Sequence, residues 1–378
     1  MSLTTLRVVL DQVGKEPPIG IGRYALELTR ALIETAPRGC DVAGIVASSP
    51  AEEYARIERQ LPGLSNLFKS ALDRRQLAAA WQHGFTRLPG TGMVHAPSLF
   101  APLYRHDRLH NPGEQVVVTI HNTAAWTHPE TLPARTVARI KAMSQRAQRY
   151  ADAVVVPTHA VADELSEILT LGDRVRIIGN AVSPSLKPGH DSAARAAALE
   201  LPERFVLALG ELEKHNGMHD LLWAWADTHA PDVPLVIVGM GTDRLADLEH
   251  LAHLDSGRII PLGVLSETDL AVAYSRAAVV VVPSLAGAAD LVALEAMSLG
   301  APVVHSDAPA LLELCSDAGV VVARDDAAGY PRRLADAVRS VLNDATLAAE
   351  LRVRGRDQSR AYSWRDSAEK TWQLHADL

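Results

Sequence analysis

The chain has 378 residues, 48% hydrophobic and 22% charged, with a formal net charge of −8 at pH 7. This composition excludes an intrinsically disordered chain, and the length suits two domains of ordinary size. The acidic balance, with both signs interspersed, argues against a nucleic-acid groove, and no apolar run approaches the roughly 20 residues of a membrane-spanning helix.

Near the N-terminus a strand-like run follows directly, with no basic start and apolar core of a secretion signal. Only two cysteines occur, Cys40 and Cys315, far apart and outside any metal or redox motif. These features predict a cytoplasmic protein, peripheral at the inner face of the membrane where its acceptor is lipid-linked.

Short β-branched runs alternate with helical segments along the whole chain. In the first half they occupy 7–10, 43–47, 93–96, 115–121, 153–157 and 175–178. In the second half they occupy 205–209, 235–239, 259–262, 278–283, 302–305 and 319–323. Near-continuous apolar strands separated by helices indicate parallel sheets covered on both faces. Two such sets in series predict an α/β protein of two doubly wound domains, with ligands at the carboxyl ends of the strands. The turn-rich stretch 179–188 sets the expected boundary, giving domains of 1–183 and 184–361 followed by a last helix at 362–378.

Several strand ends carry residues suited to chemistry. Gly20-Ile21-Gly22-Arg23 follows the first strand and opens a helix. Its glycines permit close approach of a ligand, and Arg23 offers a guanidinium to a phosphate or an acceptor, although many strand-to-helix turns use glycine for shape alone. His95-Ala96-Pro97-Ser98 ends another strand, where His95 either faces an acceptor or anchors its loop. His121 and Asn122 end a third strand, with Trp126 close behind. In the second half, Gly239-Met240-Gly241 is a turn, and Ser266 after Val264 and Leu265 is a helix N-cap before an acidic first turn.

The stretch 281–304 combines an apolar run, a loop of small residues, a helix from about Leu291 to Gly300 and a second apolar run. Such a loop aims backbone N–H groups and the positive end of a helix at one point, which suits a phosphate. Glu295 lies one turn into that helix.

The pattern Pro283-Ser284-Leu285, then Leu294-Glu295-Ala296-Met297, Gly300 and Pro302-Val303-Val304 resembles the donor-nucleotide motif of family-4 glycosyltransferases of the GT-B fold. The resemblance runs from Arg7 to the Trp364 helix with its motifs in family order. It implies two Rossmann-like domains facing a central cleft, an acceptor-side first domain and a nucleotide-sugar-binding second domain. It also implies a last helix that packs back on the first domain.

The implied function is retaining transfer of a hexose, mannose-like and carried on GDP, to a glycan or lipid-linked acceptor, without metal or other cofactor. On this resemblance His121 orients the donor sugar, and His95 and Trp126 lie on the acceptor side. Glu295 holds the ribose, while Gly287, Asp290 and Leu291 hold phosphate. Gly20, Gly22, Arg23 and Lys214 complete the diphosphate end, and Gly241, Val264 and Leu265 meet the base.

Three positions depart from the family. Gly287 stands where the family has a sugar-contacting Glu, and Glu211 and Asn216 stand where it has an Arg and a Lys that grip the diphosphate. A carboxylate beside a diphosphate is repulsive. The alternative reading is therefore a non-catalytic GT-B protein that scaffolds or activates a partner glycosyltransferase.

Overall fold

The structure is a computed structural model that describes residues 4–13, 20–85, 92–107, 110, 113–210, 212, 216–226, 230–241, 257–285 and 290–378, with only the backbone of Asp290. The chain divides into two compact units. One comprises residues 1–126, 133–180 and 363–378; the other comprises 127–132 and 181–362. The segment 127–132 thus groups with the second unit although it lies within the first half of the sequence.

The first unit is built on β1 (Thr4–Val9), β2 (Cys40–Ser48), β3 (Leu67–Asp73), β4 (Met93–Ala96), β5 (Gln115–Thr119), β6 (Ala153–Val156) and β7 (Val175–Ile177). They form one sheet in the order β3-β2-β1-β4-β5-β6-β7, every pair parallel. The sequence reading anticipated every one of these strands except β3. That strand lies at the sheet edge, and only its first residue is buried. A half-wet edge strand with Lys69, Ser70 and Asp73 lacks the continuous apolar run that betrays a central parallel strand.

The second unit is built on β8 (Val206–Leu209), β9 (Leu235–Val238), β10 (Ile259–Gly263), β11 (Val279–Val282), β12 (Val303–Ser306) and β13 (Gly319–Val322). Their order is β10-β9-β8-β11-β12-β13, again all parallel. Successive residues of one strand feed opposite cores, as the two-residue period of a strand requires. Val280 and Val282 join Phe205, Leu207 and Val303 on one face, whereas Val279 and Val281 join Val206, Ile237 and Val304 on the other. Burial on both faces explains why these strands read as unbroken valine runs.

Helix ends follow local chemistry. Ser266 accepts the backbone N–H of Asp269 at 3.2 Å and caps Glu267–Arg276. The Asp290–Ser298 helix ends where Gly300 adopts φ +77°, with Gly300 N–H on Met297 O at 3.0 Å and Ala301 N–H on Ala296 O at 2.9 Å. This pair of bonds needs the left-handed residue that glycine supplies.

The last helix, Trp364–Asp377, belongs to the first unit. Trp372 donates its indole N–H to Leu32 O at 3.1 Å, and Ser367 donates its hydroxyl to Gly179 O at 2.7 Å. Among the described residues no helix is long and apolar enough to cross a membrane.

Candidate functional site

Strand order reverses in each sheet at one point, and open parallel sheets bind ligands beyond the carboxyl ends of the strands there. In the second unit that point lies between β8 and β11. The two chain segments leaving these strands touch at backbone level. Gly217 has φ +67°, and a Cβ on it would stand 2.0 Å from Pro283 O, so only glycine fits.

Three successive carbonyls after β11 are then pinned by side chains. Pro283 O accepts the Tyr330 hydroxyl at 3.3 Å, Ser284 O accepts the Ser306 hydroxyl, and Leu285 O accepts Arg324 Nη1 at 2.6 Å. Arg324 is itself paired with Asp307, whose carboxylate also accepts the Arg324 backbone N–H at 3.1 Å. Partial burial works against the Asp307 charge, but these Arg324 interactions outweigh it and hold the carboxyl below its ordinary range. Asp307 thereby supports the arginine that holds the Leu285 carbonyl.

The Asp290–Ser298 helix follows that loop, with Leu291 half-buried in its first turn. Glu295 is 1% exposed and accepts the hydroxyl of Tyr274, itself fully buried, at 2.9 Å. Val264 stands beyond the left-handed Gly263 that ends β10 and is 55% exposed; the next residue, Leu265, and Gly241 after β9 are half-buried. Asn216, half-buried, lies beside Gly210. Glu211, Lys214 and Gly287 lie outside the described residues, as does the side chain of Asp290.

In the first unit the order reverses between β1 and β4. Gly20 is exposed at φ +52° and precedes the Ile21–Glu34 helix, while Gly22 is buried and Arg23 half-buried in its first turn. Tyr24, next on that helix, meets the His121 ring edge-on, with centroids 4.7 Å apart, and meets Trp364 of the last helix at 5.6 Å. The last helix therefore backs the residue that backs His121.

His121 follows β5, and its Nε2 lies 2.8 Å from Pro97 O. A carbonyl only accepts, so Nε2 carries the hydrogen and Nδ1 of the neutral ring keeps its lone pair. Enclosure pushes the imidazole pKa below its ordinary value, with the Pro97 carbonyl pulling weakly the other way. Asn122 Oδ1 accepts Ala124 N–H at 3.1 Å and shapes the turn into Ala124–Thr127, where Trp126 is half-buried.

His95 takes the anchoring arrangement: it is fully buried, and its Nδ1 lies 3.4 Å from His375 Nε2 on the last helix. Beyond β1, β4 and β5 opens a cavity of about 410 Å³ whose walls include His121, Asn122, Trp81, Phe100, Arg74, Arg75 and Arg139. Of the residues singled out from sequence, His121 and Asn122 line it; Gly20, Gly22, Arg23, His95 and Trp126 do not.

Arg74 and Arg75 escape the sequence because β3, which delivers them, lacks an apolar run, and Arg139 stands on the separate helix Ala134–Tyr150. A signal was present in Asp73-Arg74-Arg75-Gln76, a capping box in which Asp73 accepts Gln76 N–H at 2.9 Å and Gln76 accepts Asp73 N–H at 3.2 Å. Elsewhere, burial pushes the Cys315 thiol up to about 12, which leaves it unreactive. Among the described residues no group of three or more His, Cys, Asp or Glu side chains is placed to hold a metal ion.

Comparison with known proteins agrees with this architecture. Residues 18–186 match the family described as Glycosyltransferase Family 4, and residues 203–344 match that described as Glycosyl transferases group 1. A glycogen synthase of Mycobacterium tuberculosis is 32% identical over 271 residues, covering 69% of this chain and 62% of its own length. The chain thus spans less than two thirds of that relative's length. An O-antigen chain mannosyltransferase B of Escherichia coli is 27% identical over 394 residues, covering 94% of this chain and 96% of its own.

Among solved structures, HepE of Anabaena in complex with UDP-glucose superposes with a TM-score of 0.73 at 17% identity, covering 99% of this chain and 100% of that one. A sucrose-phosphate synthase of Thermosynechococcus elongatus gives 0.71 at 20% identity, covering 99% of both chains. With two parallel-sheet Rossmann-like units and both family domains in order, the chain belongs to the family-4 glycosyltransferases of the GT-B fold.

Proposed function

We propose that the protein is a retaining glycosyltransferase that moves a hexose from a nucleotide-diphosphate sugar to a glycan or lipid-linked acceptor, without a metal or other cofactor. The observation that carries this reading is the second unit's switch point. There the backbones after β8 and β11 meet at Gly217, three carbonyls are pinned, and the loop leads into a helix bearing buried Glu295. Pinned backbone at 283–285 and a helix N-terminus at Asp290 suit a diphosphate, and Glu295 suits a ribose. Catalysis rests on stabilising the departing diphosphate and on positioning the acceptor hydroxyl, with His121 orienting the sugar.

The E. coli mannosyltransferase supports mannose as the hexose, here read as carried on GDP, and the UDP-glucose bound to HepE supports the competing donor. Calorimetric titration with GDP, UDP and their hexose derivatives tests the reading. Micromolar to low-millimolar binding of one nucleotide is expected, and no binding of any of them would sink the donor site.

The second reading is a GT-B protein that scaffolds or activates a partner glycosyltransferase. Glu211, Asn216 and Gly287 favour it, since three groups of one family pocket are replaced together. Nucleotide binding without sugar release or transfer across a broad acceptor panel selects this reading over the enzyme.

A further inference from the structure

The cavity of the first unit holds more unmatched donors than a neutral glycan needs. Arg74, Arg75 and Arg139 line it, and its described walls include no Asp or Glu, in a chain that carries net charge −8. Arg74 is neutralised by Asp11, whose carboxylate is 4% exposed. Arg75 and Arg139 have no carboxylate partner among the described residues, and both are exposed enough to turn toward a ligand.

Trp81 is 1% exposed, and its indole N–H is buried with no acceptor among the described residues. A buried orphan donor is costly, and none of the described residues removes that cost. Part of the wall is apolar: Trp81 and Phe100 meet with ring centroids 4.5 Å apart, and Ile140 and Met143 also line the cavity. One acceptor position completes the set, because His121 commits its Nε2–H to Pro97 and keeps a lone pair on Nδ1.

We propose that this cavity binds an acceptor substrate bearing a phosphate group beside an apolar or ring face, with Arg75 and Arg139 on the phosphate. The proposal rests on the glycosyltransferase reading for the word acceptor, and on the cavity alone for the phosphate. Two guanidinium forks offer N–H donors to phosphate oxygens, the planar geometry that arginine matches in pairs. The apolar wall takes the flanking carbon skeleton, and a hydroxyl of the same molecule has His121 Nδ1 to donate to. Phosphorylated sugars and lipid phosphates both present this chemistry.

The test is titration of the whole protein, with nucleotide held at saturation so that the donor diphosphate site is filled. Phenyl phosphate is compared with phenyl β-glucoside; then glucose 6-phosphate is compared with farnesyl phosphate below its aggregation concentration. Phenyl phosphate is expected to bind at least tenfold more tightly than the uncharged glucoside, with an affinity that falls as salt rises. The Arg75→Gln, Arg139→Gln double variant, altered only at exposed positions, should lose at least tenfold for phenyl phosphate while UDP and GDP affinities stay within twofold.

Preference for glucose 6-phosphate identifies a soluble phosphosugar acceptor, and preference for farnesyl phosphate a lipid-linked one; either supports the proposal. Equal affinity for charged and uncharged probes, or full affinity in the double variant, overturns it. Failure of the parent protein to bind any nucleotide removes the donor reading instead, and the phosphate comparison is then read without nucleotide.

Discussion

The phenolic oxygen of Tyr274 lies 2.9 Å from Oε2 of Glu295, and both side chains are almost wholly buried. The bond joins the Glu267–Arg276 helix to the Asp290–Ser298 helix and orients the carboxyl assigned to the ribose. A buried carboxyl on a helix needs such a partner, because unmet polar groups in a core are destabilising.

Tyr274→Phe should therefore destabilise the protein by about 1–3 kcal/mol, the usual cost of losing a hydrogen bond to a buried carboxyl. Thermal unfolding measures this; an unchanged Tm would mean the bond carries no stability. Glu295→Gln keeps the shape and should weaken nucleotide binding by roughly tenfold or more, about 1.4 kcal/mol. Unaltered affinity in that variant would refute the ribose assignment.

Acid should loosen the attachment of the last helix. His95 and His375 are buried against each other beside Gln115, which holds His375 from both ends of its amide. Burial holds His95 down to about 4 and His375 well below its ordinary value, the latter pushed further by His95. Both rings are thus neutral in the folded protein, while the unfolded chain takes up protons near pH 6.5. Stability is undiminished above that pH and falls as pH drops through 6.5 toward 4, by roughly 3 kcal/mol for His95 once the drop is complete. Urea unfolding from pH 7.5 to 4.5 follows this. His95→Gln should flatten the acid limb, and a limb of unchanged slope would assign the effect elsewhere.

His121→Ala should lower kcat by about tenfold or more while nucleotide affinity changes less than twofold, since loss of positioning is felt in the reaction rather than in donor binding. Because its pKa is depressed, His121 is neutral above pH 6.5, and kcat should show no inflection from this group between pH 7 and 9. Full turnover in the variant would remove His121 from the mechanism.

Two glycines with positive φ should respond differently to alanine. Gly217→Ala forces a Cβ to 2.0 Å from a backbone oxygen and should cost more than about 3 kcal/mol, with nucleotide binding lost alongside. At Gly300, φ +77°, the nearest atom to an added Cβ is Nη2 of Arg356 at 2.4 Å, the far end of a flexible side chain. Gly300→Ala should cost only about 1–2 kcal/mol. Equal losses at the two sites would show that conformation, not the close approach, dominates at Gly217.

Central strands were legible from sequence because burial on both faces leaves only apolar residues, as in Val279–Val282. The helix stop at Gly300 and the cap at Ser266 were legible because each depends on a few adjacent residues. The edge strand β3 was not legible: its burial alternates, and pairing with β2 alone decides that it is a strand.

The same division holds for the candidate sites. By itself the sequence determined the family, the two sets of parallel strands, and the local frames in which Glu295 and His121 stand, since all of these are written in residue type and short spacing. Tertiary structure alone decided that Tyr274 holds Glu295, that Arg324 and Asp307 pin Leu285, and that His95 is spent on the last helix. It alone gathered Arg75, Arg139 and Trp81 around one cavity. Those partners are separated by tens to hundreds of residues along the chain, so only the packing of whole elements brings their charges and hydrogen-bonding groups within reach.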